Sequence, residues 1–426
     1  MNLHLKSSIV NRQSSIKITG SKSETNRLLL LQALYPSITL ENTSNSDDSE
    51  VMADALQKSK ITNQKSVIVN VHHAGTAMRF LTAFFAIQEG KEVVLTGSSR
   101  MKERPIKILV DALKQLGAEI TYEENEGFPP IKIIGKKLSQ CKVSLPANVS
   151  SQYISALLLI APKLENGLEL TLEGEITSIP YIKMTLQLLN EIGVKISFEN
   201  NKITVCHAEL VSASNLTIES DWSSASYWFS IVALSEIGTQ ITLSSYKQNS
   251  LQGDSALVEI YNDFGVETIF NENSITISKI NSHNPQPKTY NLKSSPDIAQ
   301  TIAVTSFGLG IGCNLTGLHT LKIKETDRLE ALKIELSKLG ATISVTNDSL
   351  TIEQSSIINS NVTIATYQDH RMAMAFAPLA LKVPIIINDA EVVSKSYPTF
   401  WEDLKNVGFT ILESQSTLNN LNSFQN

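Results

Sequence analysis

One phrase occurs five times along this 426-residue chain: an apolar helical pattern ending in a hydrophobic residue, then a glycine, then a short alternating strand. The copies are LVDALKQLGAEITY around Gly117, LQLLNEIGVKISF around Gly193, VEIYNDFGVETIF around Gly265, LKIELSKLGATISV around Gly340 and FWEDLKNVGFTIL around Gly408. The glycines stand 76, 72, 75 and 68 residues apart. A helix burying positions i, i+3, i+4 and i+7 is stopped by a residue in the left-handed conformation, which glycine adopts without a Cβ penalty. A strand of period two follows directly. A sixth, degraded copy, VMADALQKSKITNQKSVIV at residues 51–69, carries Lys60 or its neighbours in place of the glycine. Helix-glycine-strand junctions also occur singly in any α/β protein, and it is the near-constant spacing that argues for repetition. The period exceeds that of a solenoid repeat, so each copy reads as a small α/β subdomain, several of which pack around shared helices to make a domain.

A chain of this length suits two domains of about 200 residues each. Its 42% apolar and 18% charged residues are those of a globular protein. The formal charge of −6 argues against nucleic acid or an anionic membrane as the main partner, so an anionic ligand must meet a local basic cluster. The start, MNLHLKSSIVNRQ, has no long apolar region, and stretches such as Ile154 to Ala161 are too short to span a bilayer, so a cytoplasmic protein is expected. Cys141, Cys206 and Cys313 are widely separated and show no metal-binding spacing, so each reads as a buried small hydrophobe. The polar, aperiodic tail SQSTLNNLNSFQN is expected to fray.

Several segments place small residues and a cation at the start of an apolar helix. Gly20-Ser21-Lys22-Ser23-Glu24-Thr25-Asn26-Arg27 follows an alternating strand and opens LLLLQAL. Free N–H groups at a helix start, with Lys22 and Arg27 beside them and only Glu24 as a nearby acid, outline an anion site. It lacks the spacing of a nucleotide P-loop. His73-Ala74-Gly75-Thr76-Ala77-Met78-Arg79-Phe80 repeats the theme, with Gly75 permitting close approach of a ligand to the backbone. In Arg100-Met101-Lys102-Glu103-Arg104-Pro105-Ile106, Pro105 suits a first helical turn and Arg104 can fork onto a carboxylate or phosphate. Ser150-Ser151-Gln152-Tyr153 and Ser178-Ile179-Pro180-Tyr181 put neutral donors at further helix starts, where they serve equally well as plain N-caps.

The second half carries carboxylates beside cations, the material of acid/base work. Asp297 precedes IAQTIAVTSFGL, Lys324-Glu325-Thr326-Asp327-Arg328 precedes LEALKIEL, Asp369-His370-Arg371 precedes MAMAFAPLAL, and Lys395 lies in VVSKSYP. Each segment alone is also a satisfactory cap or salt-bridged first turn. Taken together, they all fall at the start of a helix, and helix starts facing one cleft would gather them.

GSKSETNR, GTAMRF, RMKERPI, SSQY, KETDR, DHRMAM and the late lysine of SKSYP, in this order from Ser15 to about Leu412, resemble the signature series of the 5-enolpyruvylshikimate-3-phosphate synthases. The resemblance implies an α/β, two-domain, inverse α/β barrel-like fold, the enolpyruvyl transferase fold, of six βαβαββ-type units, three per domain. One domain would comprise residues 1–19 with 221–426, its tail after about 413 disordered, and the other residues 20–220. The active site would lie in the cleft between them. The implied reaction moves the enolpyruvyl group of phosphoenolpyruvate to the 5-hydroxyl of shikimate 3-phosphate, a step of aromatic amino-acid biosynthesis through chorismate, with no cofactor and no metal.

By the same resemblance, shikimate 3-phosphate would be held by Lys22, Ser23, Arg27, Ser150, Ser151, Gln152, Ser178, Tyr181, Asp297, Thr320 and Lys324. Phosphoenolpyruvate would lie against Lys22, His73, Gly75, Thr76, Arg104, Gln152, Arg328, His370, Arg371 and Lys395. Asp297 would act as base, Glu325 as proton donor and acceptor, and Lys22 with Lys395 would stabilise the intermediate and the leaving phosphate. The chain departs from the family at His73 and Thr320, where asparagines are common, and at Phe80, where a smaller residue is common. Glyphosate is expected to compete with phosphoenolpyruvate, and a monomer is expected.

Two other readings share the fold. UDP-N-acetylglucosamine enolpyruvyl transferases carry Lys-Asn near the N-terminus and a reactive Cys or Asp before the Arg-Pro segment, whereas this chain has Lys22-Ser23 and neither residue from Thr96 to Pro105. A catalytically dead binder of phosphorylated metabolites would have no use for Asp297, Glu325, Lys22 and Lys395 together.

Overall fold

The five repeated glycines have φ of 101° (Gly117), 91° (Gly193), 78° (Gly265), 102° (Gly340) and 107° (Gly408), so each is the left-handed helix stop that its position demands. In the computed structural model, which describes residues 1–7, 13–61, 66–148, 150–176, 179–209, 215–281 and 286–414, a strand follows each of them. The tail beyond residue 414 and Ser178 lie outside the described residues.

Each of these five strands is the edge of a four-stranded sheet with one recurring plan. In the first, Ser66–Asn70 runs parallel to Glu92–Thr96, which pairs antiparallel with Ile131–Ile134, which pairs antiparallel with Glu119–Tyr122. The parallel neighbours are joined through the helix Gly75–Ala86, and Glu119–Tyr122 turns back into Ile131–Ile134 as a hairpin, as their directions require. The same order holds for the sheets ending at Ile196–Glu199, Val266–Asn271, Ile343–Val345 and Thr410–Ser414. In the last of these, the first strand of the chain, Asn2–Lys6, takes the place of the hairpin return.

The sixth copy differs from expectation. The helix Asp47–Ile61 leads on to Ser66–Asn70, but that strand pairs in parallel with Glu92–Thr96 and so opens the next sheet. Without a glycine stop, the chain here makes no antiparallel return strand among the described residues. This unit's sheet is only Thr39–Glu41 beside Asn215–Thr217.

Two compact units result, Met1–Ile18 with Asp221–Asn426, and Thr19–Ser220. The crossings exchange strands. Gln13–Ile16 pairs with Gln240–Ser244 in the first unit but leads into the helix Lys22–Leu34 of the second, while Asn215–Thr217 pairs in the second and leads into Trp222–Leu234 of the first. Within each unit, three helices pack against one another inside the sheets: Trp222–Leu234, Ala299–Gly308 and His370–Phe376 in one, Lys22–Leu34, Gly75–Ala86 and Ser151–Ile160 in the other. Every residue of Ala299–Gly308 is buried, the polar Gln300, Thr301, Thr305 and Ser306 included, so this helix is enclosed on all sides. Most of the functional segments identified from sequence lie at the starts of these inner helices or of the helix Arg328–Lys338, whereas Arg104 precedes the helix Lys107–Gln115, Tyr181 lies in Ile179–Glu191 and Lys395 ends the short turn Ala390–Lys395.

Candidate active site

In the Thr19–Ser220 unit, Ser21 precedes the helix Lys22–Leu34, and its N–H donates to the Glu219 carbonyl. Lys22 has an acidic partner that the sequence reading missed: its Nζ lies 3.4 Å from Asp48 Oδ2, and His73 Nε2 lies 3.6 Å from the other oxygen of the same carboxylate. Asp48 comes from a different helix, Asp47–Ile61, and nothing in the local pattern around Lys22 announces it.

Arg27 is buried and fully engaged. Its Nε donates to Thr185 Oγ1 at 2.7 Å, Nη1 to the Ser23 carbonyl at 2.7 Å, and Nη2 to Ser155 Oγ at 3.1 Å and the Tyr181 carbonyl at 3.4 Å. Its guanidinium stacks 5.4 Å from the Phe80 ring centroid, so the unusual Phe80 serves as a floor for Arg27. Burial lowers the Arg27 pKa to about 10.

The space beside Gly75 is filled by Arg104: a Cβ on Gly75 would stand 2.5 Å from Arg104 Nη1. The close approach that the glycine allows is therefore first to a side chain of this chain. Pro105 does not open a helix as expected, since Ile106 caps the helix Lys107–Gln115 and Pro105 precedes the cap. Its carbonyl instead accepts from Arg79 Nη2 at 3.0 Å and Tyr153 Oη at 2.7 Å, which fixes the backbone next to Arg104. Burial, with Arg104 nearby, lowers the Arg79 pKa to about 10. Gln152 Nε2 donates to Thr76 Oγ1 at 3.2 Å, and Ser150 caps the helix Ser151–Ile160 by accepting from the Gln152 N–H at 3.3 Å. Tyr181 lies within the helix Ile179–Glu191 rather than before it.

In the other unit, Asp297 collects three cations. Arg328 Nη1 donates to Oδ1 at 2.9 Å, Lys324 Nζ lies 3.5 Å from the same oxygen, and Arg371 Nη2 donates to Oδ2 at 3.3 Å. Arg328 in turn collects three carboxylates, adding Asp369 through Nε at 2.6 Å and Glu325 through Nη2 at 2.8 Å. Burial by itself lowers the Arg328 pKa, but Asp369, Glu325 and Asp297 together hold it above its ordinary value. Arg371 behaves likewise, burial being outweighed chiefly by Asp297. Local capping produces the geometry: Asp327 accepts from Leu329 N and Glu330 N, and Asp369 Oδ1 from Arg371 N, so two N-caps aim the arginines that follow them. The capping and the catalytic readings of these segments are thus compatible. Lys395 Nζ donates to the Gln368 carbonyl at 2.7 Å, and His370 is buried with Nδ1 4.0 Å from Asp369 Oδ1. Thr320 Oγ1 is buried and makes no hydrogen bond among the described residues.

Asp254 is a further member that sequence reasoning passed over. Ser223 Oγ donates to its Oδ2 while accepting from Arg371 Nη2 at 3.2 Å. Burial, then the charge of Asp297, pushes the Asp254 carboxyl up to about 7. Its sequence signal was the Gly253-Asp254 pair in front of the apolar segment around Leu257–Asn262. Among the cysteines, Cys313 is buried as expected on the strand Cys313–Thr316, but Cys141, just before the edge strand Lys142–Pro146, is only partly buried, and Cys206, just past the end of the strand Lys202–Val205, is exposed. Among the described residues, no cluster of His, Cys, Asp and Glu is arranged to hold a metal ion, and no helix is long and apolar enough to cross a membrane.

The sequence matches the family described as EPSP synthase (3-phosphoshikimate 1-carboxyvinyltransferase) over residues 7–404. A 3-phosphoshikimate 1-carboxyvinyltransferase of Bacteroides fragilis is 44% identical over 403 residues, covering 94% of this chain and 96% of the relative. One from Vibrio campbellii is 36% identical over 418 residues, covering 92% and 96%. In fold, the chain is similar to EPSP synthase from Acinetobacter baumannii, with a TM-score of 0.80 at 21% identity over 97% of this chain and 100% of the other. It is also similar to the enolpyruvyl transferase NikO from Streptomyces tendae, with a TM-score of 0.72 at 13% identity over 97% and 99%. The ordered motifs, the inner-helix architecture and these relatives agree: the chain belongs to the EPSP synthase (3-phosphoshikimate 1-carboxyvinyltransferase) family.

Proposed function

We propose that this chain catalyses the reaction for which its family is named, transfer of the enolpyruvyl group of phosphoenolpyruvate to the 5-hydroxyl of shikimate 3-phosphate in aromatic amino-acid biosynthesis. Residues of both units serve it. The observation that carries the reading is the carboxylate of Asp297 ringed by Lys324, Arg328 and Arg371, with Glu325 suspended from the same Arg328. Two carboxylates tied to one guanidinium are held in fixed relation, as a base and an acid acting on neighbouring atoms must be.

Asp297 takes the proton of the 5-hydroxyl as its oxygen bonds to C2 of phosphoenolpyruvate, and Glu325 delivers a proton to C3. The tetrahedral intermediate then returns a C3 proton to Glu325 as the C–O bond to phosphate breaks, restoring the double bond, and the departing phosphate takes up the proton that Asp297 had accepted. Arg104, Arg328, Arg371, Lys22 and Lys395 supply the cationic surroundings in which carboxylate and phosphate oxygens are bound and the leaving phosphate is stabilised. His73, Gly75, Thr76, Gln152 and His370 complete the phosphoenolpyruvate contacts. Ser23, Ser150, Ser151, Tyr181 and Thr320, with Ser178, Lys324 and Arg27, bind shikimate 3-phosphate, Arg27 acting chiefly through the helices it ties together. Glyphosate competes at the phosphoenolpyruvate site, and the enzyme works as a cytoplasmic monomer.

Phosphate release from phosphoenolpyruvate tests the reading, with shikimate 3-phosphate, UDP-N-acetylglucosamine or neither added. Release only with shikimate 3-phosphate is expected. Release only with the nucleotide sugar would overturn the substrate, and release with neither would overturn the activity.

A further inference from the structure

Two adjacent residues without glycine's freedom, Tyr367 and Gln368, have φ of 54° and 57°. They are the centre of a tight turn closed by the Asp369 N–H on the Thr366 carbonyl at 2.8 Å. A turn with positive φ at both central positions is ordinarily built from Asn and Gly. Tyrosine and glutamine persist there only if the surroundings hold them.

The hold is visible. Glu335, fully buried on the helix Arg328–Lys338, accepts from Tyr367 Oη at 2.6 Å through Oε1 and from the Ala365 N–H at 3.2 Å through Oε2. Lys338 Nζ neutralises it at 2.7 Å. The second half of the strained turn carries groups of the site: the Gln368 carbonyl receives Lys395 Nζ, and Asp369 binds Arg328 Nε and caps the helix bearing Arg371. Glu335 and Arg328 share one helix, so a single rigid element fixes the turn from one side and the arginine from the other.

We propose that Glu335, acting through the Tyr367 hydroxyl, is a positioning residue for the proposed transfer: it keeps the 366–369 turn in its strained form and thereby sets the place of Lys395. Neither residue touches the reacting groups. The proposal rests on the assignment of Lys395 to the reaction only for its effect on turnover, since the coupling from Glu335 to Lys395 has its own readout.

The test uses Tyr367→Phe, which deletes one hydroxyl, beside Glu335→Gln and the double variant Tyr367→Phe/Gln368→Gly in the full chain. Pulse acetylation followed by peptide mass spectrometry measures how fast Lys395 is modified. Turnover and KM for each substrate are measured in parallel. Expected are a several-fold faster acetylation of Lys395 in both single variants, with kcat reduced roughly tenfold, KM for shikimate 3-phosphate within twofold, and a cooperative melt. The double variant should recover part of the way toward wild type in both readouts, because glycine at position 368 takes its positive φ without help; a purely structural loss would move melting and expression without changing Lys395 labelling in the folded protein. Unchanged labelling of Lys395 in Tyr367→Phe would overturn the proposal, even if Glu335→Gln fails to fold. Faster labelling with unchanged turnover would uphold the coupling and instead overturn the assignment of Lys395 to the reaction.

Discussion

The guanidinium of Arg104 occupies the space where a side chain on Gly75 would begin, with Nη1 2.5 Å from the position a Cβ would take. Gly75→Ala must therefore displace Arg104, and the displacement is feasible because the crowded atoms are the far end of a flexible side chain. The expected result is a KM for phosphoenolpyruvate raised about tenfold, equivalent to ~1.4 kcal/mol of binding, with glyphosate inhibition weakened in parallel and KM for shikimate 3-phosphate little changed. Steady-state kinetics on the variant would contradict this if both substrates were affected alike.

Arg328 and Asp369 form a charge pair at 2.6 Å in which both side chains are buried. Arg328→Met leaves Asp369 without its guanidinium and is expected to cost about 3–5 kcal/mol, the range for stranding one member of a buried pair. Chemical denaturation measures it. Arg328→Lys should recover only part of the loss, since an ammonium cannot reach Asp297, Glu325 and Asp369 with a planar fork.

Asp297→Asn and Glu325→Gln each remove a carboxylate to which a proton transfer is proposed, while keeping size. Turnover should fall by about 10² to 10⁴ in each, the usual contribution of a positioned acid or base. Near-normal turnover in either variant would remove that residue from its role.

The Asp254 carboxyl, at about 7 in the folded chain against 3.8 for an unperturbed group, titrates at different pH in the two states. Between roughly pH 4 and 7 the folded chain keeps a proton that the unfolded chain has lost. This contribution to stability is complete below the unfolded value and is lost as pH rises through the folded one. Asp254→Asn should therefore flatten the fall in melting temperature across that window, and the variant should gain on wild type most clearly at pH 8, each kcal/mol being worth about 2–4 °C in a domain of this size. Parallel melting curves for the two proteins from pH 4 to 8 would show that Asp254 is not the group responsible.

The repeated glycines were legible because a helix stop is a local event. Gly117, Gly193, Gly265, Gly340 and Gly408 each need a positive φ, and the residues on either side carry the periodicities of the elements they separate. The candidate site residues were legible as types at helix starts for the same reason: the caps Ser150, Asp327 and Asp369 bond within three residues of themselves. The sixth unit was misread because its strand Ser66–Asn70 has the right alternation but chooses its partner, Glu92–Thr96, from the next sheet. Alternation gives a strand its faces and leaves its neighbour open.

What the sequence determined by itself is therefore what short-range sterics and periodicity determine: where helices start and stop, which faces are apolar, and which chemical groups stand at helix starts. The tertiary structure decided who meets whom. Asp48 under Lys22 and His73, Arg104 against Gly75, Asp254 reaching Arg371 through Ser223, and Glu335 beneath Tyr367 join residues that no local pattern links. Charge pairing and hydrogen bonding act over a few ångströms of space, irrespective of separation along the chain, so these partners become defined only when the sheets and inner helices have brought their elements together.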